Sequence, residues 1–264
     1  MAISLVSGAR GTATNKTSNQ SLALTPSGNL SAGNYGLLAV VLDNVDAASG
    51  ATSNVSAADS LGRPWPKLYE RSMATAGALD GVTCALFLCY LPYGLTTSQS
   101  VTATFTANST AKGAGLAEFS CAAGYDIVLS ASGSNGANAG ASTSYSVALS
   151  GLTSVAGFYI GMAAAEEELD TAVTLDTAYT EIGFGSIGSG TAGSNVTNTR
   201  ARVAYLSNTS TGDTFDASSL TSCDRATILV RIEEQATRWY SPVCAPPYEQ
   251  PVWPDRGWER WQLS

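Results

Sequence analysis

Apolar residues along the chain fall in short runs separated by Gly, Asn, Asp and Ser, and no segment keeps the three-and-four spacing of an amphipathic helix. Tyr35 to Leu42 is apolar throughout and stops at Asp43-Asn44, the pattern of a strand covered on both faces. Val82 to Leu91 reads the same way and is stopped by Pro92. Val101, Ala103 and Phe105 alternate with Thr102, Thr104 and Thr106, which predicts a half-exposed strand. The chain is therefore expected to be all-β.

The pattern occurs twice. Ser21–Leu24 followed by Gly33–Val40 lines up with Ser146–Leu149 followed by Gly157–Ala164, which sets Tyr35 level with Tyr159. Trp65 then matches Tyr179, Leu68 matches Ile182, and Gly115–Phe119 pairs with Ala226–Ile232. Residues 1 to about 236 are expected to form a two-layer β-sandwich of jelly-roll-like topology, built from related halves at about 12–129 and 142–236. Two independent small sandwiches are the alternative arrangement. The Gly/Ser/Asn/Ala stretch Ser130 to Ser144 reads as their linker, or as a long loop at the midpoint.

Composition changes abruptly after Glu234. Residues 237–264 hold four of the five tryptophans and five of the nine prolines. Proline forbids regular helix and central-strand pairing, so an extended C-terminal arm is expected. Tryptophan in water is costly, and the arm should cover an apolar surface on its own sandwich or on a neighbouring subunit. Trp239, Tyr240, Tyr248, Trp253, Arg256, Trp258, Arg260 and Trp261 are the candidate subunit-docking residues, because Trp, Tyr and Arg dominate the energetic centres of interfaces. A carbohydrate-stacking platform is the other reading of the same tryptophans.

The chain has no histidine, which removes the usual general base and the commonest metal ligand and excludes Ser-His-Asp and Cys-His hydrolases. Carboxylates remain. Glu166-Glu167-Glu168 with Asp170, or Asp43 with Asp46 and Asp59, could supply a glycosidase pair or bind calcium. They lie where buried strands end and read more simply as solvated acidic loops; no catalytic residue, metal or cofactor is expected. Gly183–Gly188 and Gly188–Gly193 fit the dinucleotide glycine pattern but lack its helix and its acidic ribose ligand, so they read as a glycine-rich loop. Glu118 and Arg231, each inside a predicted strand, are placed on the solvent face. Cys84 and Cys89 lie five apart, so their side chains should leave opposite faces of one strand as buried free thiols.

A net charge of -8 without a basic cluster argues against nucleic acid as a partner, and no run approaches the ~20 apolar residues of a membrane span. The N-terminus has neither the basic region nor the apolar run of a signal peptide, so synthesis in a cytoplasm is expected. Asn15, Asn19, Asn29, Asn54, Asn108, Asn195 and Asn208, each in an Asn-x-Ser/Thr context, then read as turn residues and not glycan acceptors.

Asp43-Asn44, Gly50 and the run Asp59-Ser60-Leu61-Gly62-Arg63-Pro64-Trp65-Pro66-Lys67-Leu68 together resemble a pattern frequent in structural proteins of tailed bacteriophages and related prophage elements. Ala117–Cys121 is similar to the strand that closes the first half in such proteins, and the resemblance spans roughly residues 20–235. It departs at Arg63-Pro64, where the pattern more often has Asn and Thr, and at the tryptophan-rich arm, which lies outside it. The resemblance implies a non-enzymatic virion structural protein, a capsid decoration or head-fibre protein made in the host cytoplasm. Its arm would dock on other virion proteins, capsid or tail subunits, and a homo-oligomer is expected. A tail or baseplate module recognising a host surface glycan is the alternative.

Overall fold

The computed structural model describes residues 3–43, 49–74, 81–137, 143–166, 173–189, 198–219 and 223–237. These contain strands and turns and no helix. The first half comprises β1 (Ser4–Asn15), β2 (Asn19–Leu24), β3 (Asn34–Asp43), β4 (Gly50–Ala51), β5 (Val55–Asp59), β6 (Lys67–Ala74), β7 (Gly81–Leu91), β8 (Val101–Ser109) and β9 (Lys112–Ser120). The second comprises β10 (Tyr125–Ala137), β11 (Ser144–Leu149), β12 (Gly157–Ala165), β13 (Val173–Leu175), β14 (Thr180–Glu181), β15 (Ile187–Gly188), β16 (Arg200–Asn208), β17 (Asp213–Ser219) and β18 (Arg225–Ala236).

The repeat is also topological. The first half has a large antiparallel sheet in the order β1-β9-β3-β7-β6-β4 and a small one, β2-β8-β5. The second has β10-β18-β12-β16-β14, with β15 also on β16, and β11-β17-β13. The chain crosses repeatedly between the two sheets of a half, at β1-β2-β3, β4-β5-β6 and β7-β8-β9 in the first and at β10-β11-β12-β13-β14 and β16-β17-β18 in the second, which is a jelly-roll-like path. Each half closes its own sandwich: Leu38, Val40, Leu42, Phe87 and Leu116 pack against Leu22, Val101 and Phe105 in the first, and Tyr159, Ala163 and Leu229 against Val147 and Phe215 in the second.

The two large sheets also pack face to face. Leu37, Ala39, Val41, Leu86 and Phe119 from one meet Phe158, Ile160, Met162, Ile228 and Val230 from the other in a single core. These sheets are interior layers, and for that reason β3, β7 and β12 read as continuous apolar runs although every pairing is antiparallel. Cys84 faces this central core and Cys89 the outer one, on opposite faces of β7 as the spacing predicts. β3 lies over β16 while β7 lies over β12, so the halves meet about a pseudo-two-fold axis, as in an isologous dimer.

Three sequence expectations need correction. Ser130 to Ala137, placed in a linker or midpoint loop, is the second part of β10 and pairs with Arg225–Arg231 of β18; the backbone ladder outweighs the poor strand propensity of Gly and Asn. The alignment of Tyr35 with Tyr159 is one residue out. Asn34 opposes Leu91 and Gly157 opposes Asn208, so Tyr35 corresponds to Phe158, both facing the central core. A one-residue slip reverses the faces of a strand. Finally, Glu118 and Arg231 are fully buried and not on the solvent face.

Candidate functional site

The run that carries the phage resemblance forms a structural corner. Asp59 Oδ1 accepts the backbone N–H of Leu61 (3.0 Å) and Arg63 (3.1 Å), closing a tight turn, while Oδ2 accepts Arg63 Nε at 2.7 Å and Trp65 Nε1 at 3.5 Å. Arg63 also donates to the carbonyls of Tyr90 and Gly94, which ties the corner to the turn after β7. Trp65 lies on Gly36: a Cβ there would come within 2.5 Å of the indole. The equivalent Tyr179 packs edge-on against Phe215 at 4.9 Å, and each matched aromatic lies in the outer core of its own half.

The buried ions act on the loops at this same end. Glu118 accepts Arg10 Nε at 2.7 Å, the Ser31 N–H at 2.8 Å and Asn34 Nδ2 at 2.7 Å, and pairs with Arg10 Nη2 as well. Burial alone would raise its pKa, but the bonds from Asn34, Ser31 and Arg10 outweigh that and hold it below the usual carboxylate value. Arg231 donates to the carbonyls of Thr153 (3.1 Å) and Val155 (2.6 Å), pairs with Glu233 at 3.0 Å and stacks over Tyr159.

Four exposed apolar side chains collect around these ties: Tyr93, 86% exposed, with Leu61, Tyr90 and Tyr125. Tyr90 packs at a tilt against Tyr35, with ring centroids 5.3 Å apart, and the Tyr35 hydroxyl accepts the Ile127 N–H at 3.0 Å, linking the corner to the start of β10. The chain leaves β18 here, with the Thr237 N–H bonded to Gly124 O at 2.8 Å. Exposed aromatics of this kind give that end of the sandwich an apolar surface. Sequence reasoning missed Tyr93 and Tyr125; Tyr93 beside Pro92 at the end of a buried strand was the available signal. The predicted docking residues Trp239, Tyr240, Tyr248, Trp253, Arg256, Trp258, Arg260 and Trp261 lie outside the described residues, which stop as this segment begins.

The acids expected in solvated loops are placed otherwise where described. Asp43, Asp59 and Glu166 are buried, whereas Asp46, Glu167, Glu168 and Asp170 lie outside the described residues. Asp43 sits near buried Lys112, whose Nζ donates to the Thr17 and Ser109 carbonyls; burial lowers the Lys112 pKa and the Asp43 charge opposes that. Glu70 accepts from Thr52, the Asn54 and Val55 N–H groups and Lys67. Asp59, Glu70 and Glu118 thus use their oxygens to hold backbone. Among the described residues no three His, Cys, Asp or Glu side chains group to hold a metal, and no helix is long and apolar enough to cross a membrane.

Gly183–Gly188 forms a turn and β15, and its glycines make a seam between the halves. A Cβ on Gly113 would lie 2.6 Å from the Gly188 N, and one on Gly8 would lie 2.3 Å from the Gly183 N. Of the Asn-x-Ser/Thr positions, Asn15, Asn19 and Asn208 each accept the N–H two residues on, as turn residues do. A second surface feature is an open cleft of about 600 Å³ on the outer sheet β11-β17-β13, of mixed lining, with Ser146, Asp176 and Asp216 beside Tyr145, Leu175 and Ala217.

Compared with known proteins, the chain matches no family model and is similar in sequence to no curated protein. The molecule is a tandem jelly-roll-like sandwich whose buried charges shape loops and whose exposed aromatics lie at the end where β18 finishes.

Proposed function

We propose that the protein is a non-enzymatic structural component of a bacteriophage virion, a capsid decoration or head-fibre protein that docks on neighbouring virion subunits through its C-terminal residues. The observation that supports this reading is the coincidence of the exposed Leu61, Tyr90, Tyr93 and Tyr125 with the exit of the chain at Thr237. The sequence that follows Thr237 contains four tryptophans. Its three arginines and three acids cancel, so the contact would be aromatic and only weakly sensitive to salt. The resemblance carried by Asp59 to Leu68 supplies the phage assignment, and the commitment of Asp59, Glu70 and Glu118 to backbone agrees with a scaffold role.

The test is occupancy. Particles assembled with chains lacking residues 238–264, or carrying Tyr90→Ser and Tyr93→Ser, are purified and the protein is quantified per particle. Occupancy should fall by about tenfold or more for each, the loss expected on removing interface anchors. Unchanged occupancy, or absence of the full chain from purified particles, rejects the proposal.

A second reading, a surface module recognising a host glycan, is favoured by the cleft on the outer sheet, where Ser146 and Asp216 face each other across the β11-β17 ladder. Glycan arrays probed with the full chain and with Asp216→Asn decide it: binding lost in the variant supports the module, and no binding removes it.

A further inference from the structure

The two halves treat one buried cation differently. Leu42 opposes Lys112 in the first half and Ala165 opposes Arg225 in the second, so Lys112 and Arg225 hold equivalent positions at the start of β9 and β18. Both are fully buried. Lys112 is satisfied by two carbonyls, those of Thr17 and Ser109. Arg225 is not: none of its three guanidinium nitrogens meets a hydrogen-bond acceptor among the described residues. Its guanidinium lies over the Tyr145 ring, 5.3 Å from the centroid. Thr227, two residues on and so on the same face of β18, has a buried hydroxyl without a partner among the described residues, and so does Tyr145.

The space beside these donors also differs between the halves. Ala163 and Ala165 oppose Thr227 and Arg225, where the first half has Val40 and Leu42 opposite Ala114 and Lys112. The second roll has smaller side chains on β12 at just the place where it adds hydroxyls and a guanidinium on β18. A buried guanidinium without an acceptor is strongly unfavourable, and an arrangement of donors beside small side chains suits a compact group bearing several acceptor oxygens and negative charge.

We infer that Arg225, Thr227 and Tyr145 form a binding site for a small inorganic oxyanion, phosphate or sulfate, inside the second jelly roll where β18 begins. The guanidinium would bind two oxygens as a fork, and the two hydroxyls would donate to the others. The inference does not depend on the virion reading, because the site is built wholly from strands of the second roll.

Equilibrium dialysis of the full chain against radiolabelled phosphate should find one ion bound per chain. Thermal unfolding at fixed ionic strength should show a saturating rise of a few degrees with phosphate over chloride. Ala165→Leu and Thr227→Ala, which install the side chains of the first half and leave Arg225 in place, should each weaken phosphate binding at least tenfold and remove most of the shift. Absence of bound phosphate in the wild-type chain overturns the inference, as does retention of wild-type binding in both variants.

Discussion

Glu118 and Arg231 occupy the same position in the two halves and carry opposite charges into it. Glu118 opposes Gly36, and Arg231 opposes Tyr159, the residue equivalent to Gly36. Both are fully buried, and both hold the loop that precedes β3 or β12, one by accepting from Ser31 and Asn34, the other by donating to Thr153 and Val155. The exchange extends to their neighbours. Asn34, which donates to Glu118, is replaced by Gly157, where a Cβ would lie 2.1 Å from Arg231 Nε. The pair shows a duplicated fold keeping a mechanical role while inverting its chemistry.

Removing the charge at Glu118 should be costly and pH-dependent. Glu118→Gln leaves the buried end of Arg10 without its ion partner and is expected to destabilise the chain by about 3 kcal/mol near neutral pH. The folded-state pKa lies below the unfolded one, so the contribution is fully present above the unfolded value and is lost as pH falls through the folded one. Urea denaturation of both proteins from pH 7 to pH 3 should therefore show the gap closing on acidification; a constant gap would count against the ion pair.

Tyr35 makes the opposite prediction at alkaline pH. Burial, reinforced by the nearby Asp126, pushes its phenol up to about 12, although the Ile127 N–H bond works the other way. Here the folded pKa is raised, so the stabilisation holds below the unfolded value and is lost as pH rises through about 12. Tyr145 and Tyr179 are shifted upward by burial too. Absorbance titration should show a class of phenols that stays protonated past pH 10 until the chain unfolds, with Tyr35→Phe removing one member.

The shared central core should make the two rolls unfold together. Leu37, Ile160, Ile228 and Val230 pack in one cluster across the halves, so calorimetry should give one transition for the wild-type chain. Gly113→Ala drives a methyl group into the Gly188 backbone, which cannot move without shifting β15. It should cost about 1–3 kcal/mol. Two transitions in the wild-type chain would contradict the continuous core.

Thiol reactivity should follow burial. Cys84 and Cys89 are buried, with pKa values raised by desolvation, in Cys89 to about 11, whereas Cys121 is partly exposed. Among the described cysteines, Cys121 should react first with a thiol reagent in native buffer and Cys84 only on unfolding. Mass spectrometry of timed samples checks the order, and early labelling of Cys84 would show that the core opens.

Much of the strand framework was legible because burial leaves a periodic mark. The runs at Tyr35, Val82 and Gly157, the alternation after Val101 and the repeated aromatic-aliphatic spacing at Trp65 and Tyr179 each follow from side chains that must leave water. Ser130 to Ala137 was not legible, since its place in β10 comes from pairing with β18 and not from its own side chains.

Composition and pattern were sufficient for an all-β chain in two related halves, because hydrophobic periodicity and repeat spacing are local properties of the chain. Which charge is buried is not local. Glu118 and Arg231 read as surface residues until β1 supplies Arg10, the loop before β3 supplies Ser31, and the loop before β12 supplies the Thr153 and Val155 carbonyls. The same holds for the face-to-face packing of the two large sheets and for the end where Tyr90, Tyr93 and Tyr125 gather. Each depends on contacts between residues distant in the chain, and these exist only once the sheets have paired.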